Sequence, residues 1–392
     1  ALIGGEAGIG KTRLAQVFCE GCRGQYRVAW GGCDDLSTPR PLGPFRDMAG
    51  ELGGNFKSVL AARPSRSEVF DALLDTLVAD GSPTVVVVED VHWADGATLD
   101  VLKFLGRRID RLPVLLMITY RSDEVGPDHP LTLVSGDLPA SATLRLNLGP
   151  LSGAAVGELA AGYQGSVADL LAATGGNPFL VTEAALAPPT EVPPSVKDAV
   201  AARVARLSPQ ARQVAERAAV IPGQAERWLV DDLAADGTSS LEECRSRGLV
   251  EFDDVAVWYR HELVRVAVRD SLPAEHARRL NRDLVGLMSS AGEDVARIAH
   301  HARAAGDGAA VVRYAPIAAQ EAAAASAHRE ALAHYRIAAD HLHLLDPREQ
   351  ARLLSDLAVE CYLTNEVPEG MEAATAALEI WRSEGDREQE AV

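Results

Sequence analysis

The stretch Gly5-Glu6-Ala7-Gly8-Ile9-Gly10-Lys11-Thr12 constrains this chain more than any other, because it satisfies G-x-x-x-x-G-K-[ST] at every fixed position. Small residues at that spacing let successive backbone N–H groups point into one concavity, where they and a helix N-terminus hold anionic oxygens. The pattern is that of a P-loop. In such a loop Lys11 reaches the β- and γ-phosphates and the Thr12 hydroxyl serves Mg²⁺, so ATP or ADP with Mg²⁺ is the expected ligand, with Arg13 just beyond the loop. The flanks agree: Ala1-Leu2-Ile3 reads as the end of a buried strand, and Arg13 to Cys22 as a helix with Leu14, Val17 and Phe18 on one face.

A second signal is Thr84-Val85-Val86-Val87-Val88-Glu89-Asp90, a β-branched run that reads as a strand buried on both faces and ends in two acids. This is a Walker B pattern. Its chemistry needs one carboxylate near Mg²⁺ and a second that polarises the attacking water. Related ATPases more often place Asp first; here Glu89 stands there, so Glu89 is expected to contact Mg²⁺ through water and Asp90 to orient water. Further strands are expected at Tyr26–Trp30, Val114–Thr119 and Thr143–Leu148, and helices at Phe45–Leu52, Arg66–Ala79 and Gly96–Ile109. Strands alternating with helices predict a parallel sheet over residues 1–150. Arg121, after the strand expected beside the Walker B strand, is the candidate γ-phosphate sensor; the bland alternative is a surface arginine.

A chain of 392 residues has room for two to four domains. Only four residues precede Gly5, fewer than a full first strand needs, so the segment is expected to be cut from a larger protein. No apolar run is long enough for a membrane span and no basic-apolar leader precedes the loop, so a cytoplasmic location is expected. The net charge of −18 argues against a nucleic-acid surface spread over the chain. Cys19 and Cys22 form a C-x-x-C pair with no second pair at ligand spacing, so they read as helix-end residues rather than as a zinc or redox site.

Three stretches together carry a family resemblance: Leu2 to Leu14, Glu89-Asp90-Val91-His92-Trp93-Ala94-Asp95, and Gly175-Gly176-Asn177-Pro178-Phe179-Leu180. They resemble the STAND signal-transduction ATPases, and within them the large ATP-binding regulators of the LuxR type. The resemblance implies an α/β P-loop NTPase of the ASCE type, then a helical lid, a winged-helix domain and an all-α helical-repeat tail. It implies that Pro178 packs against adenine and that His261 touches the β-phosphate of ADP; an ordinary cap or strand-end histidine is the alternative for His261.

The order along the chain fits those parts. A helical lid is expected over 151–187, broken at Gly175-Gly176-Asn177-Pro178, followed by a stiff Pro-rich linker at 188–194. The winged-helix region, 195–272, should end in a hairpin of Gly248–Phe252 and Val255–Tyr259 turning at Asp253-Asp254. Its eleven basic and thirteen acidic residues favour an intramolecular role over DNA reading. From 273 to 392 six helices are expected (Ala274–Ser290, Glu293–Ala305, Gly308–Ala324, His328–Leu345, Pro347–Leu363, Val367–Glu384), a tetratricopeptide-like solenoid with a surface for an unknown effector. His300, His301, His341 and His343 read as solvated or capping rather than metal-binding.

The function these expectations converge on is an ATP/ADP switch and ATP hydrolase, the sensor and motor of a signal-responsive transcriptional regulator. It would self-associate in a nucleotide-dependent way and meet DNA only through a domain outside this segment. Two alternatives stand beside it: the same core controlling an attached nucleotide cyclase or kinase, and a repeat scaffold with a degenerate nucleotide site.

Overall fold

The computed structural model describes residues 1–22, 24–62, 64–79, 81–186, 196–231 and 238–386. The expected linker at 188–194 and the last residues of the chain lie outside the described residues. The first part runs β1 (Leu2–Gly5), α1 (Lys11–Cys22), β2 (Arg27–Gly32), α2 (Gly43–Asp47), α3 (Ala49–Leu52), α4 (Phe56–Ala61), α5 (Arg66–Val78), β3 (Thr84–Glu89), α6 (Gly96–Gly106), β4 (Val114–Arg121), α7 (Pro130–Gly136) and β5 (Arg145–Asn147). The five strands pair in the order β2-β3-β4-β1-β5, and every pairing is parallel. Inserting β4 between β1 and β3 brings the carboxyl ends of three strands to one edge. The Thr84–Val88 run is buried throughout, as a strand covered on both faces must be.

One expectation about α1 is reversed. Leu14, Val17 and Phe18 are exposed, and the buried side is Lys11, Ala15, Cys19 and Cys22. A helix that starts at the phosphate loop must lie close to the sheet, and small residues permit that approach. Ala15, Cys19 and Cys22 accordingly pack with Ile3, Val85, Val87 and Met117. Both cysteines are free and buried, and no metal-binding cluster occurs among the described residues. The single helix expected at Phe45–Leu52 is two short ones meeting at Met48. The expected Gly96–Ile109 helix stops at Gly106, and the chain then makes a separate 3₁₀ turn at Ile109–Arg111.

Next come α8 (Gly153–Leu159), α9 (Val167–Thr174) and α10 (Pro178–Leu186). Gly175, at φ 58°, ends α9, and Pro178 opens α10, where the missing N–H costs nothing. The following region holds α11 (Val196–Ala205), α12 (Pro209–Val220), β6 (Gln224–Glu226), α13 (Trp228–Asp231), α14 (Ser239–Ser246), β7 (Val250–Phe252), β8 (Ala256–Tyr259) and α15 (Glu262–Ser271). The expected β7–β8 hairpin forms, its turn held by Asp253 Oδ1 accepting from the amides of Val255 and Ala256 at 2.8 Å each. A third strand, β6, pairs antiparallel with β8; at three residues it is too short for an alternating pattern to announce it.

The tail is α16 (Ala274–Ala291), α17 (Val295–Ala305), α18 (Gly308–Ala324), α19 (His328–Ala339), α20 (Pro347–Leu363) and α21 (Val367–Glu384), each packed on the next. Buried alanines (Ala315, Ala319, Ala322, Ala331, Ala338) allow the close stacking. The helix expected to reach Leu345 ends at Ala339, and a 3₁₀ turn follows. Two histidines depart from a solvated or capping role. His301 is fully buried with Nδ1 2.7 Å from Asn281 Oδ1, and His300 Nδ1 accepts the Ser37 amide at 3.0 Å.

That last bond is one of several that tie the tail and the β6–β8 region to the first part of the chain. The Gly96 amide donates to Glu330 Oε1 at 2.9 Å. Asp35 lies 3.6 Å from the Arg265 guanidinium and 3.5 Å from that of Arg269.

Candidate functional site

Register decides which side chains meet at the sheet edge: Gly5 is opposite Arg121, and Gly32 opposite Glu89. Past Gly5 the chain turns through Gly8 at φ 77° and Gly10 at φ 100°, values that a side chain would strain, and enters α1 at Lys11. Lys11 is buried, and its Nζ donates to the carbonyls of Gly5 and Glu6 at 2.8 Å each. Burial lowers its pKa, while the nearby Asp90 carboxylate opposes the fall. The ammonium is thus held inside the curve of the loop, ready for an anion. Thr12 is exposed in the first turn of α1.

Glu89 ends β3 and faces Thr12. The Trp30 indole Nε1 donates to its Oε2 at 3.0 Å, while Oε1 is buried outside hydrogen-bonding geometry with any neighbour. Burial pushes this carboxyl up to about 7, and the Thr12 hydroxyl and Trp30 indole restrain the rise. A carboxylate raised by desolvation with an unpaired oxygen is suited to an incoming cation, and Thr12 beside it supplies a neutral oxygen of the kind Mg²⁺ accepts. The residues present therefore fit a hydrated Mg²⁺.

Asp90 occupies the left-handed region at φ 51°, unusual for a residue with a side chain. Its amide donates to Thr119 Oγ1 at 3.0 Å. Burial raises the Asp90 pKa, and Arg121 and Lys11 oppose the shift. The next residues form a 3₁₀ turn, Val91–Trp93, that places the buried His92 against the end of β4. His92 Nδ1 accepts the Arg121 amide at 3.4 Å and lies 3.9 Å from Asp90 Oδ1; burial pushes its pKa down to about 3, so the ring is neutral.

Arg121 reaches this cluster, but its guanidinium is engaged. Nη1 is 2.6 Å from Glu124 Oε1, and Cζ lies 4.5 Å from the centre of the Trp93 ring. Arg13 leaves the site, its guanidinium 3.6 Å from Glu20 on the outer side of α1.

Pro178 is brought to the loop by its neighbours, and His261 is brought to Phe179. Asn177 Nδ2 donates to the Ala7 carbonyl at 3.0 Å, and the Phe179 amide donates to the Gly8 carbonyl at 3.2 Å and to Asn177 Oδ1 at 3.0 Å. Pro178 sits between these two anchors. The fit requires glycine at position 8, since a Cβ there would lie 2.8 Å from Phe179 Cβ. His261 stands at the N-cap position of α15 without a side-chain cap bond, its ring centre 4.6 Å from that of Phe179 in an edge-on arrangement. Burial, then Arg260 and Arg203, push His261 down to about 4.

Several members of this cluster had no assigned role in the sequence reading. Asn177, Phe179, His92 and Trp93 stand inside the quoted motifs, so a signal existed. Trp30 and Glu124 are isolated residues that only the sheet register and the turn after β4 bring in.

Residues 1–118 match the family model described as "AAA ATPase domain". This part of the chain is an AAA ATPase domain. A curated relative, an uncharacterized protein of Rhizobium meliloti (strain 1021), is 34% identical over 118 residues, which are 30% of this chain and 11% of that protein. Among solved structures, the STAND protein with a tetratricopeptide repeat sensor from Pyrococcus horikoshii aligns over 98% of this chain and 62% of its own, at 14% identity and a TM-score of 0.58. That likeness is one of fold: the parallel-sheet domain, the middle region and the helical tail follow one another as they do in that structure. The chain spans less than two thirds of that structure's length. The Walker-type ATPase of Pyrococcus abyssi aligns at 17% identity and a TM-score of 0.37, over 69% of this chain and 90% of its own.

Proposed function

We propose that the chain is a nucleotide-controlled switch that binds ATP or ADP with Mg²⁺ at Gly5–Thr12 and hydrolyses ATP slowly. It acts as the sensor and motor of a signal-responsive transcriptional regulator whose DNA-binding part lies outside this segment. The observation that carries this reading is the contact of the lid with the loop itself: Asn177 and Phe179 hold the carbonyls of Ala7 and Gly8, so the phosphate grip and the downstream modules share residues. The region 195–272, with its helices and three-stranded sheet, acts as a winged helix turned inward, as its charge balance favours.

In this mechanism Thr12 and Glu89 would hold Mg²⁺, which when bound would supply neutralisation of the charge developing on the phosphates. Lys11 leaves the loop carbonyls for the phosphates, and Asp90 orients a water for attack. Arg121 meets the γ-phosphate after release from Glu124. ADP favours the docked lid and wing; ATP, with an effector on the tail, favours their release and self-association. The contacts Ser37–His300 and Gly96–Glu330 give the tail a direct route to the AAA domain.

ATP turnover in Asp90→Asn and Glu89→Gln tests the hydrolytic assignment: both are expected to fall by about a hundredfold or more, and unchanged rates in both would sink it. The output assignment calls for the full-length protein on DNA with ATP and with ADP, tighter binding being expected with ATP.

A further inference from the structure

The side chain of Phe179 lies against both the phosphate loop and His261. Its amide is fixed to the Gly8 carbonyl at 3.2 Å, and its Cβ packs where only a glycine at position 8 leaves room. Its ring, 1% exposed, joins the apolar cluster that contains Leu249, Val257 and Val264 of the β7–β8–α15 region, and meets the His261 imidazole edge-on at 4.6 Å. One residue of the lid thus has its backbone on the loop and its ring in the core of the next module. Asn177 reinforces the first half of this link by holding both the Ala7 carbonyl and the Phe179 amide.

We propose that Phe179 is a positioning residue that couples occupancy of the phosphate loop to docking of the 195–272 region, with His261 acting on the nucleotide through the Phe179 ring. The physical step is a peptide orientation. The carbonyls of Ala7 and Gly8, held by Asn177 and Phe179, belong to the peptides that carry the Gly8 and Ile9 N–H groups of the phosphate loop, and the Ile9 amide in this arrangement donates to the Glu6 carbonyl at 3.3 Å. A phosphate that settles those peptides settles the lid residues, and a ring locked against His261 resists their movement. The uncharged state that burial imposes on His261 suits an aromatic contact. This inference rests on the switch reading above and adds the residue through which the switch communicates.

A double-mutant cycle tests it, with Mg·ADP and Mg·ATP titrated calorimetrically into the chain and into its Phe179→Leu, His261→Leu and doubly substituted variants. Coupling through the ring predicts that each single change weakens ADP about tenfold and ATP less than about threefold, and that the double variant is no weaker than the worse single one. A merely structural phenylalanine would shift both nucleotides alike, and that result would overturn the proposal. So would single effects that multiply in the double variant, since His261 would then reach the nucleotide independently. If Phe179→Leu melts below the assay temperature, Phe179→Met takes its place with the same expectations. Failure of the unsubstituted chain to bind ADP would overturn the switch reading itself, an outcome distinct from either of these.

Discussion

At the carboxyl edge of the parallel sheet, Asp90 sits at φ 51°, Gly8 and Gly10 at 77° and 100°, and Glu89 keeps a buried oxygen without a partner. In the helical tail the positive φ angles fall instead at helix ends, such as Gly292 and Gly306, where they close carbonyls that would otherwise hang free. There Asp294, Asp307 and Asp346 cap the helices that follow them. The two regions have the same chemistry available and use it differently. At the sheet edge the unusual backbone and the partnerless Glu89 oxygen lie together where a charged ligand can complete them, whereas in the tail such backbone only closes helix ends and the partnerless atoms, on His334 and Trp381 among others, are scattered between packed helices. Substitutions should therefore divide cleanly: at the sheet edge they should alter ligand affinity more than stability, and in the tail the reverse.

The largest effect should come from Lys11→Ala. It should weaken Mg·ATP by about a hundredfold or more, roughly 3 kcal/mol, while the melting temperature without nucleotide stays nearly unchanged; calorimetry paired with thermal melts reads both. A large loss of stability would erase the contrast between the regions. Ala319→Leu supplies the opposite arm, because the extra carbons must enter a fully buried helix contact. It should cost about 1–3 kcal/mol of folding stability and leave ADP affinity within about twofold.

How far the sequence disclosed this division follows from the distances involved. Five of the six tail helices were legible to within two residues, the exception being the one that ends at Ala339 rather than Leu345, since capping aspartates, glycines and periodic alanines act within a turn or two of chain. The glycine-lysine loop and the valine run into Glu89-Asp90 were equally plain, because phosphate chemistry restricts residue type at fixed spacing. What could not be read depends on tertiary approach. The outward face of Leu14, Val17 and Phe18 reflects the closeness of α1 to the sheet, and the indole of Trp30 reaches Glu89 only because β2 and β3 are neighbours in register. Glu124 likewise gains its meaning from the Arg121 guanidinium that it holds at 2.6 Å at the end of β4.

A smaller effect concerns pH. The folded-state value of Glu89, about 7, lies above the ordinary 4.5, so the folded protein retains a proton that the unfolded chain releases. Stability should fall as pH rises from 4.5 to 7 and stay lowered above that. Glu89→Gln should remove this slope and make the nucleotide-free protein more stable than the parent at pH 8, on the order of 1 kcal/mol. Melting curves across that range check it, and a steeper slope in the variant would contradict the assignment. The smallest change is expected from Glu124→Gln, which loosens the hold on Arg121 at the surface of the site. ATP should bind about two- to fivefold more tightly and ADP about equally, as competition with a fluorescent ATP analogue would show.

The central claim is that the nucleotide in the loop governs the lid and the module beyond it. Amide hydrogen exchange, followed without nucleotide, with Mg·ADP and with Mg·ATP, addresses it most directly. Slower exchange under ADP across Pro178–Leu186 and Glu262–Ser271, absent or weaker under ATP, is the predicted result. Protection confined to the AAA domain with both nucleotides would contradict the claim.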